Sequence, residues 1–132
     1  MNQIAAHYQD GHIVKGHTND FLPAKETFHL APVDSPAGVK PVEVRVAELK
    51  ALFFVKNFTG DPQHTRSQEF DPGKPPAGRK MRVVFKDGEI MVGTTQGYQK
   101  ERPGFFLIPA DPQSNNERCF VVTSATQEVA FL

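Results

Sequence analysis

Asp10-Gly11-His12-Ile13-Val14-Lys15-Gly16-His17-Thr18 returns later in the chain as Asp87-Gly88-Glu89-Ile90-Met91-Val92-Gly93-Thr94-Thr95, at a constant offset of 77 positions. The offset holds without a gap: Phe21 meets Tyr98, Phe28 meets Phe105, Leu30 meets Leu107, Pro32 meets Pro109, Asp34 meets Asp111, Val44 meets Val121 and Phe54 meets Phe131. About 11 of the 45 positions from Asp10 to Phe54 are identical to their partners, two glycines, a proline and two phenylalanines among them, so chance is a poor explanation. The chain reads as a tandem duplication, with one unit over 1–56 and the second over 79–132. The segment 57–78 between them carries Gly60, Pro62, Pro72, Gly73, Pro75, Pro76 and Gly78, which sustain neither a helix nor a central strand, and reads as a linker.

Both units are all-β. Met81 to Lys86 and Glu89 to Gly93 flank Asp87-Gly88, the favoured pair for a two-residue hairpin turn. That turn sets Lys86 opposite Glu89, Phe85 opposite Ile90, Val84 opposite Met91 and Val83 opposite Val92. Phe85, Ile90, Val83, Val92 and Met81 then share the core face. The same register in the first unit sets His7 opposite Val14 and His12 opposite Gln9. Further strands are expected over Gly104 to Ile108, Arg118 to Val122 and Glu128 to Leu132. In the first unit they fall over Ile4 to Gln9, His12 to Thr18, Thr27 to Ala31, Val42 to Val46 and Leu52 to Lys56.

The first unit assigns the faces most cleanly, because Val42, Val44 and Val46 alternate with Glu43 and Arg45, and Phe28 and Leu30 alternate with His29 and Ala31. Carried across by the offset, Phe105, Leu107, Cys119, Val121 and Thr123 point inward. Phe106, Ile108, Phe120 and Val122 are left outside, and with Val84 and Met91 they form a six-residue apolar patch. The first unit has His7, Val14, His29, Ala31, Glu43 and Arg45 at those places. A patch of that size is not normally left in water. Either the first unit, or the linker with Phe58 and Phe70, covers it to give one fused core, or it is a partner-facing or self-association surface. The last strand, Glu128 to Leu132, offers an edge for strand pairing.

Composition narrows the function classes. Fifteen basic residues balance 15 acidic ones, so there is no long-range pull toward nucleic acid or an anionic membrane. No apolar run reaches the roughly 18 residues of a membrane span, and Met1 to His7 lacks a basic region leading into one, so neither secretion nor membrane insertion is expected. A single cysteine, Cys119, excludes an internal disulfide and fits a reducing compartment. The five histidines show no H-x-x-x-H or H-E-x-x-H pattern, and His29 and His64 stand alone, so no metal or cofactor is expected. Cys119, inward on a strand, reads as a small hydrophobe rather than a nucleophile. No nucleophile elbow, phosphate loop, dinucleotide fingerprint or paired carboxylates appear. Arg79, Lys80, Arg82, Lys86, Lys100 and Arg102 lie among Tyr98, Phe105 and Phe106, and cations beside stacking rings are what single-stranded RNA binding needs.

Met81 to Tyr98, followed by Gly104 to Asp111, resembles the first motif of Sm-like proteins: a strand, a Lys-Asp-Gly turn, a second strand with glycine, and a third strand opened by glycine and an aromatic. The resemblance implies five-stranded, strongly bent SH3-like barrels, and rings formed by pairing the edges of fourth and fifth strands. The Asp and Asn with which that family holds a stacked base have no counterpart in Gln99 to Pro103. Over nearly the whole chain, Lys15 to Phe21, Phe28-His29-Leu30 and Leu49 to Lys56 resemble an uncharacterised bacterial domain family, which implies a bacterial cytoplasmic protein and no defined activity.

The sequence thus points to two tandem Sm-like barrels acting as a non-enzymatic interaction or assembly module, with Val84, Met91, Phe106, Ile108, Phe120 and Val122 as its interface. An RNA-binding regulator using Arg79, Lys80, Tyr98, Lys100 and Arg102 is the alternative. A small-ligand barrel or an enzyme comes third.

Overall fold

The computed structural model of the chain describes residues 2–33, 40–58, 78–111 and 114–132. His64, Phe70 and all of the expected linker except Asn57, Phe58 and Gly78 lie outside them. Among the described residues ten strands run in order: β1 (Asn2–Tyr8), β2 (Ile13–Thr18), β3 (Thr27–Pro32), β4 (Val42–Arg45), β5 (Leu49–Val55), β6 (Arg79–Phe85), β7 (Ile90–Thr95), β8 (Gly104–Pro109), β9 (Asn116–Val122) and β10 (Thr126–Phe131). One 3-10 turn, Val46–Glu48, joins β4 to β5, and another, Thr123–Ala125, joins β9 to β10. Thr123, expected to point inward from a strand, therefore sits half-buried in a turn.

Both hairpins are one residue longer in the loop than Asp-Gly suggested. Tyr8 N–H donates to His12 O at 2.9 Å and Gly11 N–H to Tyr8 O at 3.0 Å, while Phe85 N–H donates to Glu89 O at 2.8 Å and Gly88 N–H to Phe85 O at 2.9 Å. The loops are three residues, Gln9–Gly11 and Lys86–Gly88, closed by a glycine in the left-handed region, Gly11 at φ 100° and Gly88 at φ 94°. Asp10 Oδ1 and Asp87 Oδ1 each accept the N–H two residues on, from His12 and Glu89, at 3.0 Å.

The extra loop residue slips the register by one, and with a side-chain period of two it exchanges the faces. Val83 pairs with Met91 and Val84 with Ile90, so Met91 is in the core with Met81, Val83 and Phe85, whereas Ile90 is exposed and Val92 half-buried. Ile90 and Val92 are thereby corrected from inner to outer residues, and Met91 from outer to inner. In the first unit His7 faces Ile13 and Ala6 faces Val14, in place of His7 opposite Val14.

The strands form one antiparallel sheet in the order β10-β6-β7-β8-β9-β5-β1-β2-β3-β4. The expected closed barrels are absent: β4 does not pair with β5, nor β9 with β10. The reason is the join between the halves. β5 and β9 pair with each other, Leu52 opposite Phe120 and Phe53 opposite Cys119, which uses the edge on which each half would have closed. Phe105, Leu107, Cys119 and Val121 are buried as expected; Val42, expected inside, lies on the open edge and is 43% exposed.

Because successive residues of a strand face opposite ways, β5 and β9 serve two cores at once. Ala51, Phe53, Cys119 and Val121 join Met81, Val83, Phe85, Met91, Phe105 and Leu107 in one core. Leu52, Phe54, Phe120 and Val122 join Ile4, Phe28, Leu30, Val44 and Leu49 in the other.

Asp20 ties β3 to the β2–β3 connection. Its Oδ1 accepts His29 N–H at 2.9 Å, its Oδ2 lies 2.7 Å from His29 Nδ1, and Thr18 Oγ1 donates to Oδ1 at 3.1 Å. These bonds, with that to the His29 ring foremost, hold the Asp20 carboxyl down at about 2. A depressed carboxyl contributes stability that is complete above its unfolded value of 3.8 and is lost as pH falls through about 2. A carboxyl-carbon NMR titration is therefore expected to give Asp20 a midpoint near 2, with the His29 amide moving in step. An ordinary midpoint at Asp20 would show that the clasp does not form in solution.

Candidate interaction surface

Three of the six residues assigned to an outer patch by sequence form part of the seam between the two halves. Phe120 and Val122 are buried in the first core, and Phe106 packs against it half-buried. Phe120 lies 5.1 Å from Phe21 and 5.2 Å from Phe106 between ring centroids, Phe54 lies 6.1 Å from Phe106, and Phe21 reaches Phe28 at 5.2 Å. Most of these contacts are edge-on, the arrangement ring quadrupoles favour. The Arg118 guanidinium covers the cluster, 4.2 Å from the centroid of Phe54 and 4.8 Å from that of Phe106. Met91 is in the second core, Val84 is half-buried, and only Ile108 of the six is exposed. The fused-core alternative thus accounts for Phe106, Phe120 and Val122, with the first half as the cover. Phe21, Phe54 and Arg118 belong to this seam and were not singled out from sequence.

A second contact across the seam also escaped sequence reading. Lys50 of β5 reaches the loop between β6 and β7, with its Nζ 2.7 Å from Asp87 Oδ2, bonded to Glu89 Oε1, and 4.7 Å from the Phe85 ring centroid. Burial pulls the Lys50 pKa down, but the bonds to Asp87 and Glu89 outweigh it and the net shift is upward; the Lys50 ammonium draws the Asp87 carboxyl below its ordinary value. Asp87 thus stabilises the fold fully above 3.8 and ceases to do so as pH drops through its native value, while Lys50 contributes below 10.5 and ceases to do so as pH climbs beyond its raised value. Lys50→Met is expected to lower stability by about 1 kcal/mol near neutrality and to flatten the acid limb of a urea-midpoint-against-pH curve. An unchanged curve would show the contact to be idle.

The cations proposed for RNA sit on β6, as Arg79 and Lys80, and in the β7–β8 connection, as Lys100 and Arg102. Arg79 lies over Phe131, 3.7 Å from the ring centroid, and Tyr98 stands edge-on to Phe105 at 4.8 Å and to Phe131 at 5.9 Å, packed against the second core. Arg102 Nε donates to Gln99 Oε1 at 2.8 Å; Lys80 is exposed on β6, and Lys100 in the β7–β8 connection. Among the described residues no group of three His, Cys, Asp or Glu is placed to hold a metal ion, and no helix is long and apolar enough to cross a membrane. Cys119 is fully buried.

The two outer ends of the sheet remain. Val46 N–H donates to Glu26 O at 2.9 Å, so Val42 and Val44, in phase with it, turn their backbone groups toward β3, and those of Glu43 and Arg45 face the open side. Leu132 N–H donates to Lys80 O at 3.0 Å, which likewise leaves the backbone groups of Val129 and Phe131 facing outward from β10. Along β4 runs a groove of about 880 Å³, lined by Glu43, Arg45 and Ala47 on one side and Arg102, Pro103 and Thr123 on the other.

The elements recur at the offset of the sequence repeat: β1 to β3 begin 77 positions before β6 to β8, and the turn Val46–Glu48 stands in the same relation to Thr123–Ala125. Residues 1–132 match one family along their whole length. The chain belongs to DUF6982, a family of unknown function. No curated protein and no solved structure matches it. Membership in DUF6982 carries no activity with it, so function has to be argued from the seam and the two open edges.

Proposed function

We propose that the chain is a non-enzymatic protein-interaction module of the bacterial cytoplasm, built from two tandem Sm-like units that complete each other and offer their outer strands, β4 and β10, to an extended segment of a partner. The observation that carries this reading is the β5–β9 junction. There the last strand of one unit is added to the fourth strand of the other, and the same two kinds of strand, β10 and β4, stand at the ends of the sheet with no further strand beside them among the described residues. Strand addition draws affinity from backbone hydrogen bonds and specificity from alternate side chains. The location follows from the resemblance in sequence, and the covered single thiol agrees with a reducing compartment.

Selection of short peptides from a displayed random library on the immobilised full chain tests the reading. Enriched peptides are expected to lose binding on Arg45→Pro or Phe131→Pro, each of which removes an outward N–H that takes no part in the sheet. Arg45 already has φ −92° and ψ 119°, close to what proline accepts. The reading is overturned if no peptide is enriched while an oligoribonucleotide is retained at low salt and released by Lys100→Glu with Arg102→Glu.

A further inference from the structure

We infer that β4 pairs antiparallel with the β4 of a second copy of this chain, across a two-fold axis at Val44, so that Glu43 of each copy meets Arg45 of the other. This deepens the reading above by naming the partner of one of its two edges, and it rests on that reading. The backbone decides which residues can bond. Glu43 and Arg45 turn their N–H and C=O groups away from β3, whereas Val42, Val44 and Val46 turn theirs toward it. With Val44 on the axis, Glu43 and the second copy's Arg45 lie directly opposite as a hydrogen-bonded pair, each N–H donating to the other's carbonyl. Symmetry repeats the pair on the far side of the axis, and neither copy gives up a bond to its own β3. Val44 is already buried, so the contact draws on backbone groups and charge rather than on covering the core.

Charge selects this register. Glu43 and Arg45 are exposed on one face of the strand, and among the described residues neither makes an ion pair. Moving the axis to Glu43 sets the two Glu43 carboxylates against each other and Arg45 opposite Pro41, which has no N–H to give. Moving it to Arg45 sets the two arginines together. Only the axis at Val44 puts opposite charges face to face on both sides. The antisymmetry continues along the chain, since Lys40 and Glu48, equally far from Val44 and both exposed, are also opposite in sign. Charges on an edge strand ordinarily keep other strands away; placed antisymmetrically about one residue, they admit the strand itself.

Pairing of β4 with the β10 of another copy, which would build an open chain, does not fit. The β5–β9 register, moved by the repeat offset, would place Glu128 opposite Val44, Val129 opposite Glu43 and Phe131 opposite Pro41. A carboxylate would then lie on the core side, a valine against the carboxylate of Glu43, and the outward groups of Phe131 against a residue without N–H. The contact at β4 instead closes on itself, and the dimer presents two β10 edges to the extended segment of a partner.

Light scattering over a concentration series up to about 1 mM, on the full chain and its charge variants, decides the matter. The parent mass is expected to rise from one chain toward two and no further. Glu43→Arg and Arg45→Glu each set like charges together on both sides of the axis, and each is expected to weaken association by about tenfold or more. Mixed in equal amounts, these two variants are expected to regain it as a heterodimer, because every arginine then meets a glutamate. The double variant Glu43→Arg, Arg45→Glu is expected to pair with itself and not with the parent. Both positions are exposed, and far-UV circular dichroism matching the parent checks that each variant keeps its fold. A mass of one chain throughout, a mass that passes two chains, or single variants that stay apart when mixed would overturn the inference. Peptides still captured through β10 and released by Phe131→Pro would in that event leave the interaction module standing.

Discussion

Phe120→Asp is expected to unfold the chain rather than to split an oligomer. Phe120 is 1% exposed, and although it belongs to the second half by sequence it is packed in the core of the first, against Phe21 and Phe106. Truncating a buried phenylalanine costs about 3–5 kcal/mol, and a carboxylate left in that place adds the penalty of an unpaired buried charge. Set against the roughly 5–15 kcal/mol of a whole domain, this is enough to remove the native state or leave it marginal. Urea melts of Phe120→Ala and far-UV circular dichroism of Phe120→Asp, each read beside a light-scattering mass, check it. A folded Phe120→Asp chain of native stability with a smaller mass than the parent would instead make the residue part of a contact between chains.

Gly104→Val is expected to be nearly as damaging, although glycine to valine in a strand is otherwise favourable. A Cβ at Gly104 would lie 2.4 Å from Cε2 and 2.5 Å from Cζ of Phe120, and 2.5 Å from the carbonyl oxygen of Val121. The ring is held by the seam and the carbonyl by the sheet, so neither yields cheaply. Overpacking of this kind costs about 1–3 kcal/mol or more, and each kcal/mol lowers the melting temperature by roughly 4 °C in a chain of this size. At the partner position 77 residues earlier the chain has Thr27, and at the position 77 before Phe120 it has Glu43. The glycine and the phenylalanine therefore go together: where the ring folds over the strand, the facing Cβ is missing. Thr27→Val in the same assay should change stability little, since Thr27 is only half-buried; a Gly104→Val chain that melts with the parent would refute the packing argument.

Much of this architecture was legible because it rests on local chemistry. Gly11 and Gly88 announce tight loops, the alternation of Val44 with Glu43 and Arg45 announces a half-buried strand, and the 77-residue offset places the starts of β6, β7, β8 and β10 from those of β1, β2, β3 and β5. One reading slipped and one contact was missed for identifiable reasons. Asp-Gly suits both a two-residue and a three-residue hairpin loop, and the added residue, Gln9 or Lys86, moved Met91 into the core and Ile90 out of it. The clasp from Lys50 to Asp87 and Glu89 joins residues with no periodic relation, so neither charge patterning nor the repeat announces it.

The sequence by itself determined that the chain is all-β, that it repeats, and that Phe106, Phe120 and Val122 stand on the side of their strands away from their own unit's core. Only the tertiary structure decided what covers them, and that no barrel closes. Strand identity and face follow from side chains within a few residues of one another, whereas the β5–β9 pairing brings together segments some 65 positions apart, Ala51 with Val121 being 70 apart. Which of two unsatisfied edges a strand takes depends on the shape and polarity of whole faces: apolar where the halves meet, charged at β4 and at the Arg82–Glu128 pair beside β10.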